Sequence, residues 1–342
     1  VDEPMPDYAT DNESQGATDA VIDAEIEQTR RRLTRRQIIA QIIGFFIGLG
    51  LLTWCIYTVV QDPTGWHKLL NADPRYLFGM VGCTIVSLFV NGTVFWATLQ
   101  PYAKARFDHL HWLNLVASLL NYAPVRVGLI VRIIYHMRVD RMRFLQIGAW
   151  IAAITFTVFL TIGACVAATL PRPEVDWITV VLTIVYLLVF GYVLSIITRH
   201  AIVSRYGQGL DRVLSNRRIL IVTIGLRLLE IVAIAVRMWC GLQILGIELS
   251  LRDILLLAYT DLLFSVIPIG RVGYREAAIA VVATWLTTKG ITGDALNANM
   301  ATLGLIVSAG ELMIVLPTGL IALVWLKRRW AAARATLRPV DA

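Results

Sequence analysis

Apolar runs of about twenty residues or more recur along this chain, separated by short loops rich in arginine. Six of them, Ile38–Val60, Tyr76–Leu99, Phe144–Leu170, Trp177–Thr198, Ile219–Leu245 and Ala298–Leu326, predict helices that cross a membrane. Each exceeds the roughly 20 residues that span about 30 Å of hydrocarbon. Two further apolar segments are broken in the middle. Residues 108–138 read DHLHWLNLVASLLNYAPVRVGLIVRIIYHMR and residues 252–288 read RDILLLAYTDLLFSVIPIGRVGYREAAIAVVATWLTT. Proline, glycine and charge interrupt both. The pattern predicts two helical hairpins that dip into the bilayer and turn back. Irregular backbone at that depth survives only where protein or an aqueous cavity satisfies it. Paired, interrupted segments in the two halves of a chain point to a transport site.

The two hairpin tips share a plan. One is Asn121-Tyr-Ala-Pro124-Val-Arg126-Val-Gly128-Leu-Ile-Val-Arg132, the other Ser265-Val-Ile-Pro268-Ile-Gly270-Arg271-Val-Gly273-Tyr-Arg275-Glu276. Proline ends one half-helix because it lacks an N–H and restricts its predecessor. Glycine (Gly128; Gly270 and Gly273) permits the turn. The second half-helix then starts with free N–H groups and a positive dipole end, which suits an anion. The spans flanking the two hairpins run in opposite senses, the form of an inverted repeat.

Composition fits a polytopic membrane protein. The 342 residues are 57% hydrophobic and 16% charged, against about 25% charged in soluble domains. The net charge of +7 does not imply nucleic acid, because the basic residues flank apolar spans and act as topology signals. With a cytoplasmic N-terminus, 22 of the 31 basic residues fall on the cytoplasmic side. They cluster at 30–36, 104–106, 126–143, 199–218 and 327–338. The outer segments hold five: Lys68, Arg75, Arg172, Arg252 and Lys289. This split requires both hairpins to enter and leave on one side. It places both termini in the cytoplasm. Residues 1–36 form an acidic, then basic tail predicted to be disordered, 37–330 the membrane domain and 331–342 a second tail. The acidic start does not read as a signal peptide.

The candidate chemistry is charge at membrane depth. Arg227, Glu230 and Arg237 share one span and fall within roughly 80° of each other on a helix. Asp261 sits in the first half of the outer hairpin and Glu311 in the last span. Such groups cost about 2.5–3.5 kcal/mol each on insertion scales and face bundle interiors or aqueous cavities. They predict either an ion-pair network that fixes helix register or a polar route for a lipid headgroup. Arginine's planar fork suits phosphate. Asn91 predicts an interhelical hydrogen bond. Tryptophans, Trp54, Trp96 and Trp150 among them, are expected near span ends as interfacial anchors. Cys55, Cys83, Cys165 and Cys240 stand in apolar runs without a CxxC pair and read as small hydrophobes. The five scattered histidines predict no metal site, and no cofactor is implied. There is no GxxxxGK[ST] loop, so any translocation would be passive or ion-coupled.

Ser265–Ala278, SVIPIGRVGYREAA, resembles the P-x-G-G-x-G-x-R-E-A-A motif of the transmembrane region of bacterial lysylphosphatidylglycerol synthases, a flippase-like family. Asn121–Arg132 resembles that family's N-x-x-P-x-R-x-G-x-x-x-R motif. The motifs occur in the family's order, and the resemblance spans roughly residues 40–328. It implies functional roles for Pro124, Arg126, Gly128, Arg132, Pro268, Gly270, Gly273, Arg275 and Glu276. Arg271 stands where the family has a second glycine. The soluble aminoacyl-transfer domain of the full synthases is not seen, since twelve residues follow Trp330. The implied activity is movement of anionic or aminoacylated phospholipid between the leaflets of a bacterial inner membrane.

The expectation is therefore an all-α protein with six transmembrane helices and two opposed re-entrant hairpins, acting as a lipid flippase. Its substrate contacts are Arg126, Arg132, Arg227, Glu230, Arg237, Asp261, Arg271, Arg275, Glu276 and Glu311. The alternative is a non-catalytic membrane partner or scaffold of a separate lipid-modifying enzyme. An intramembrane enzyme using Glu276 or Glu311 ranks last, for want of a nucleophile–base pair. The partners are a membrane phospholipid and no nucleic acid, with a second copy of the chain left open.

Overall fold

The computed structural model describes residues 35–61, 71–122, 127–199, 210–266, 273–287 and 294–335. Among them are eleven helices and no strand. They are α1 (Arg35–Gln61), α2 (Pro74–Leu99), α3 (Phe107–Leu120), α4 (Val127–Arg138), α5 (Phe144–Thr169), α6 (Trp177–Arg199), α7 (Leu210–Leu214), α8 (Arg217–Leu245), α9 (Leu251–Val266), α10 (Tyr274–Thr287) and α11 (Asp294–Ala335). Five are long and apolar enough to cross a membrane: α2, α5, α6, α8 and α11. In α1 the apolar stretch Ile42–Tyr57 is shorter.

The helix ends follow local chemistry. Asp73 caps α2, its side chain accepting from the Arg75 N–H at 2.9 Å, with Pro74 at the first position, where its missing N–H costs nothing. Asn216 caps α8 by accepting from the Ile219 N–H. Gly246 ends α8 at φ 66°, the left-handed stop that glycine adopts without penalty. Before α6, Asp176 accepts from the Thr179 N–H at 2.9 Å and pairs with Arg172. The Thr179 amide in particular holds the Asp176 carboxyl below its ordinary range.

Both broken segments become pairs of short helices, α3 on α4 and α9 on α10. At 1.5 Å per residue, their 14, 12, 16 and 14 residues reach only about 18–24 Å. None is long enough to cross about 30 Å of hydrocarbon. The first helix of each pair also packs on a long helix of the other half, α3 on α11 and α9 on α5. Helices α2 and α8, which precede the two pairs, pack on each other as the central spine.

Close approach replaces bulk along these seams, as expected where lipid supplies no hydrophobic drive and packing must hold helices together. A Cβ on Gly79 would press on the Cys240 sulfur of α8, and one on Gly319 would overlap Leu119 of α3. Helix α6 is the exception. Only 6% of its span is buried, so it presents Val181, Ile184 and Leu188 outward.

Two of the simpler expectations have clear outcomes. The four cysteines are free, three of them buried. Trp150, expected at an interface, is fully buried instead and donates to Thr98 Oγ1 at 2.9 Å. A buried indole needs such a partner, and Thr98 supplies it from α2.

Contacts join the ends of distant helices. Tyr102, after α2, packs with Val213 and Leu214 of α7. His109, at the start of α3, meets Arg329 near the end of α11. Elsewhere, Arg252 at the start of α9 donates to the Leu170 carbonyl after α5 at 3.0 Å.

Candidate functional site

A polar cavity of about 200 Å³ lies inside the bundle, walled by α2, α3, α4, α5, α8, α9 and α11. Both short-helix pairs reach it. Of the residues nominated from sequence, Arg132, Arg227, Glu230, Arg237, Asp261 and Glu311 line it. Arg275 and Glu276 are buried beside it. Arg126, Arg271, Pro124, Pro268 and Gly270 lie outside the described residues.

The charges sort into two groups. In the first, Arg237 of α8 donates to Asp261 Oδ2 at 2.8 Å and lies 3.6 Å from Glu311 Oε2. Arg275 of α10 donates to Asp261 Oδ1, and to Glu311 Oε2 at 2.6 Å. Two arginines and two carboxylates thus bind α8, α9, α10 and α11 into one neutral, buried cluster. In the second, Arg227 pairs with Glu230 one turn along α8 and donates to Asn91 Oδ1 of α2 at 3.3 Å. Asn91 is thereby an interhelical partner. Arg227 and Arg237 face the same cavity, yet only Arg227 bonds Glu230.

Arg132 differs from both groups. It is 6% exposed, and among the described residues it meets no carboxylate within ion-pair distance. Its Nη2 donates to Asn114 Oδ1 at 3.0 Å, and its guanidinium lies 3.4 Å from the centroid of the Phe95 ring. A cation–π contact is worth about 2 kcal/mol when desolvated and leaves the charge in place. The comparison with Arg275 is direct. In each short-helix pair, an arginine on the second helix bonds a polar residue on the first: Arg132 to Asn114, Arg275 to Asp261. The carboxamide in place of the carboxylate leaves Arg132 uncompensated.

More hydrogen-bonding capacity faces the same space. Ser87 Oγ, Asn121 Oδ1, Arg227 Nε and Arg237 Nε are buried without a partner among the described residues, and all four residues line the cavity. Buried polar atoms are seldom left so. The set offers arginine N–H donors and a hydroxyl beside an uncompensated cation, which suits an anion such as a phosphate diester.

The turn residues have structural work of their own. Gly273 adopts φ 86°, and a Cβ there would overlap the Gly48 carbonyl of α1. Its N–H donates to Glu276 Oε2 at 2.7 Å, so Glu276 reaches back to cap α10. Glu276 also accepts from Ser308 of α11. Tyr274 donates to the Gly44 carbonyl at 2.8 Å, fixing α10 to α1. Gly128 sits where a Cβ would overlap the Ala117 carbonyl, which brings α4 against α3. Sequence reading expected Arg275 at the start of a half-helix at the outer hairpin tip, as a substrate contact. The structure buries it, 1% exposed, among carboxylates.

Sequence reading missed Asn114, Ser118 and Phe95, and gave Asn121 a place in its motif but no role in the site. The signal for Asn114 and Ser118 was present, since amides and hydroxyls recur in an otherwise apolar run. A model of the family described as "Lysylphosphatidylglycerol synthase TM region" matches residues 41–298. Nothing among the curated proteins or the solved structures matches the chain.

Proposed function

Because the chain belongs to the lysylphosphatidylglycerol synthase transmembrane-region family, we propose that it moves an anionic or aminoacylated phospholipid between leaflets. The observation that carries this reading is Arg132. A buried cation without a carboxylate partner among the described residues, facing a polar cavity bounded by both broken segments, is expensive to maintain. A headgroup phosphate would compensate it. Arg227, paired with Glu230 beside the same cavity, is the second contact. The neutral cluster of Arg237, Asp261, Arg275 and Glu311 then serves as the hinge that holds the second short-helix pair to α8 and α11.

The architecture behind this reading is six crossings, α1 included, with α3–α4 and α9–α10 re-entrant from opposite faces as an inverted repeat. The reciprocal packing of α3 on α11 and α9 on α5 supports it. The termini are cytoplasmic in a bacterial inner membrane, and a separate enzyme modifies the lipid. The reading assigns the chain no bond-making step. Arg271, in place of the family's glycine, adjusts headgroup choice.

Purified protein in phosphatidylcholine vesicles that carry fluorescent phosphatidylglycerol tests this. A membrane-impermeant quencher should reach inner-leaflet probe in wild-type vesicles, and far more slowly with Arg132→Gln. Protein that is folded yet moves no phosphatidylglycerol, and co-purifies with a lipid-modifying enzyme, would favour the scaffold reading.

A further inference from the structure

The polar cavity has an apolar neighbour. A groove of about 440 Å³ runs between α2, α3 and α11. Ile85 and Phe89 of α2, Trp112 and Leu115 of α3, and Ile314 of α11 line it, together with Asp108 and His111 of α3. Thr318 completes the α11 wall, but its hydroxyl is spent on the Ile314 carbonyl at 2.6 Å, so it adds no free donor. Ile85 and Phe89 are 51% and 54% exposed. The groove therefore opens on the flank of the bundle where lipid would lie.

Leu88 lines both spaces. Three helices divide their faces the same way. On α2, Ser87 and Asn91 face the cavity while Ile85 and Phe89 face the groove. On α3, Asn114 and Ser118 face the cavity while Trp112 and Leu115 face the groove. On α11, Glu311 faces the cavity and Ile314, one turn on, faces the groove. The partition at this level is thin. Asn114 Nδ2 donates to the Leu88 carbonyl at 3.1 Å, and its Oδ1 accepts from Arg132.

We propose that this groove is an acyl-chain site, holding one chain of a glycerophospholipid whose phosphate is held at Arg132, with Leu88 and Asn114 as the partition between the two ends. The inference rests on the lipid-transport reading. An amphiphile is the occupant because the two spaces share one wall and differ in polarity. A water-soluble anion would need the cavity and have no use for the groove. Asn114 couples the ends. A phosphate on the remaining N–H groups of the Arg132 guanidinium lies beside the amide that ties α3 to Leu88 of α2.

The test uses the purified full chain in phosphatidylcholine vesicles doped with phosphatidylglycerol that carries a photoactivatable diazirine near one acyl terminus. After irradiation, adducts in the wild-type protein should concentrate on peptides spanning 85–89, 112–115 and 314–318. Thr318→Trp, which fills the groove, should lower that labelling about tenfold and leave binding of acyl-free glycerol phosphate intact. Arg132→Gln should lower both. Adducts spread evenly around the belt, α6 included, would overturn the groove as a site, as would undiminished labelling in a folded Thr318→Trp protein. Should that variant fail to fold, the wild-type adduct map decides alone. A wild-type protein that binds neither glycerol phosphate nor phosphatidylglycerol in preference to phosphatidylcholine would instead sink the transport reading itself.

Discussion

At Asn114 the exchange of an amide for a carboxylate decides whether the neighbouring arginine has an anionic partner. Asp261 neutralises its arginine in the second short-helix pair, and Asn114 does not in the first. Asn114→Asp should therefore keep the fold and abolish the preference for anionic lipid, by about tenfold or more in affinity. Equal binding of phosphatidylglycerol by variant and wild type would remove Arg132 from the site. The arginines should also differ in sign when removed. Arg275→Ala leaves Asp261 and Glu311 short of a buried partner, a loss of roughly 3–5 kcal/mol where a buried pair is broken. Arg132→Gln removes a charge that has no carboxylate partner among the described residues, and should leave stability unchanged or higher. Thermal unfolding of both variants in detergent checks the contrast, and a shared fall in Tm would contradict it. Buried charge was legible in the sequence because ions at membrane depth are rare and costly. The pairing was not. A helical wheel puts Arg227, Glu230 and Arg237 in one sector, but only packing shows that Arg237 reaches across to α9 and α11. Asn114 escaped notice because an amide inside a membrane helix is common and has several ordinary explanations.

Glycine positions show how the short helices are brought together. Alanine is favoured over glycine inside a helix by about 1 kcal/mol, so a glycine-to-alanine change there should stabilise unless something blocks the Cβ. At Gly191 the nearest atom would be Leu220 Cδ2 at 3.9 Å, an ordinary contact. At Gly128 the Cβ would overlap the Ala117 carbonyl and Asn121, both parts of α3 or its end that have little room to yield. Gly191→Ala should leave Tm equal or higher. Gly128→Ala should lower it by several degrees and weaken anionic-lipid binding, because α4 carries Arg132. Thermal unfolding read beside lipid binding tests both halves. A Gly128→Ala protein of normal stability and affinity would show that α3 and α4 can separate without cost. The interruptions themselves were readable, because proline and glycine inside an apolar run have few other uses. What each glycine touches was not. Gly273 fits against Gly48 of α1, some 225 residues away in the chain, and no local pattern announces that contact. Trp150 misled for a similar reason: interface and core both accept tryptophan, and only the Thr98 partner distinguishes them.

At the scale of the whole molecule, the distribution of basic residues sets the expected sidedness. The sequence puts 22 basic residues on one side and five on the other if both broken segments return to the face they left. The fold joins loops in the same sets. The residues after α2 meet α7, and the start of α3 meets the end of α11. The loop after α5 meets the start of α9. A single crossing by α3–α4 would separate Lys104 from Arg138, which bracket it. Re-entry keeps them together. Lys104, Arg138, Glu174 and Glu248 are all exposed, so each can carry a lone cysteine in a chain whose four native cysteines have been replaced. An impermeant maleimide applied to intact cells should label the cysteines at positions 174 and 248 and spare those at 104 and 138 until the membrane is opened. Labelling of 138 but not 104 would make α3–α4 a crossing and end the inverted-repeat reading. Labelling of 104 and 138 together, with 174 and 248 protected, would keep the α3–α4 hairpin and reverse the orientation. The expected pattern follows because positive charge is retained on the cytoplasmic side, and because helices of 14 and 12 residues cannot each reach the far face.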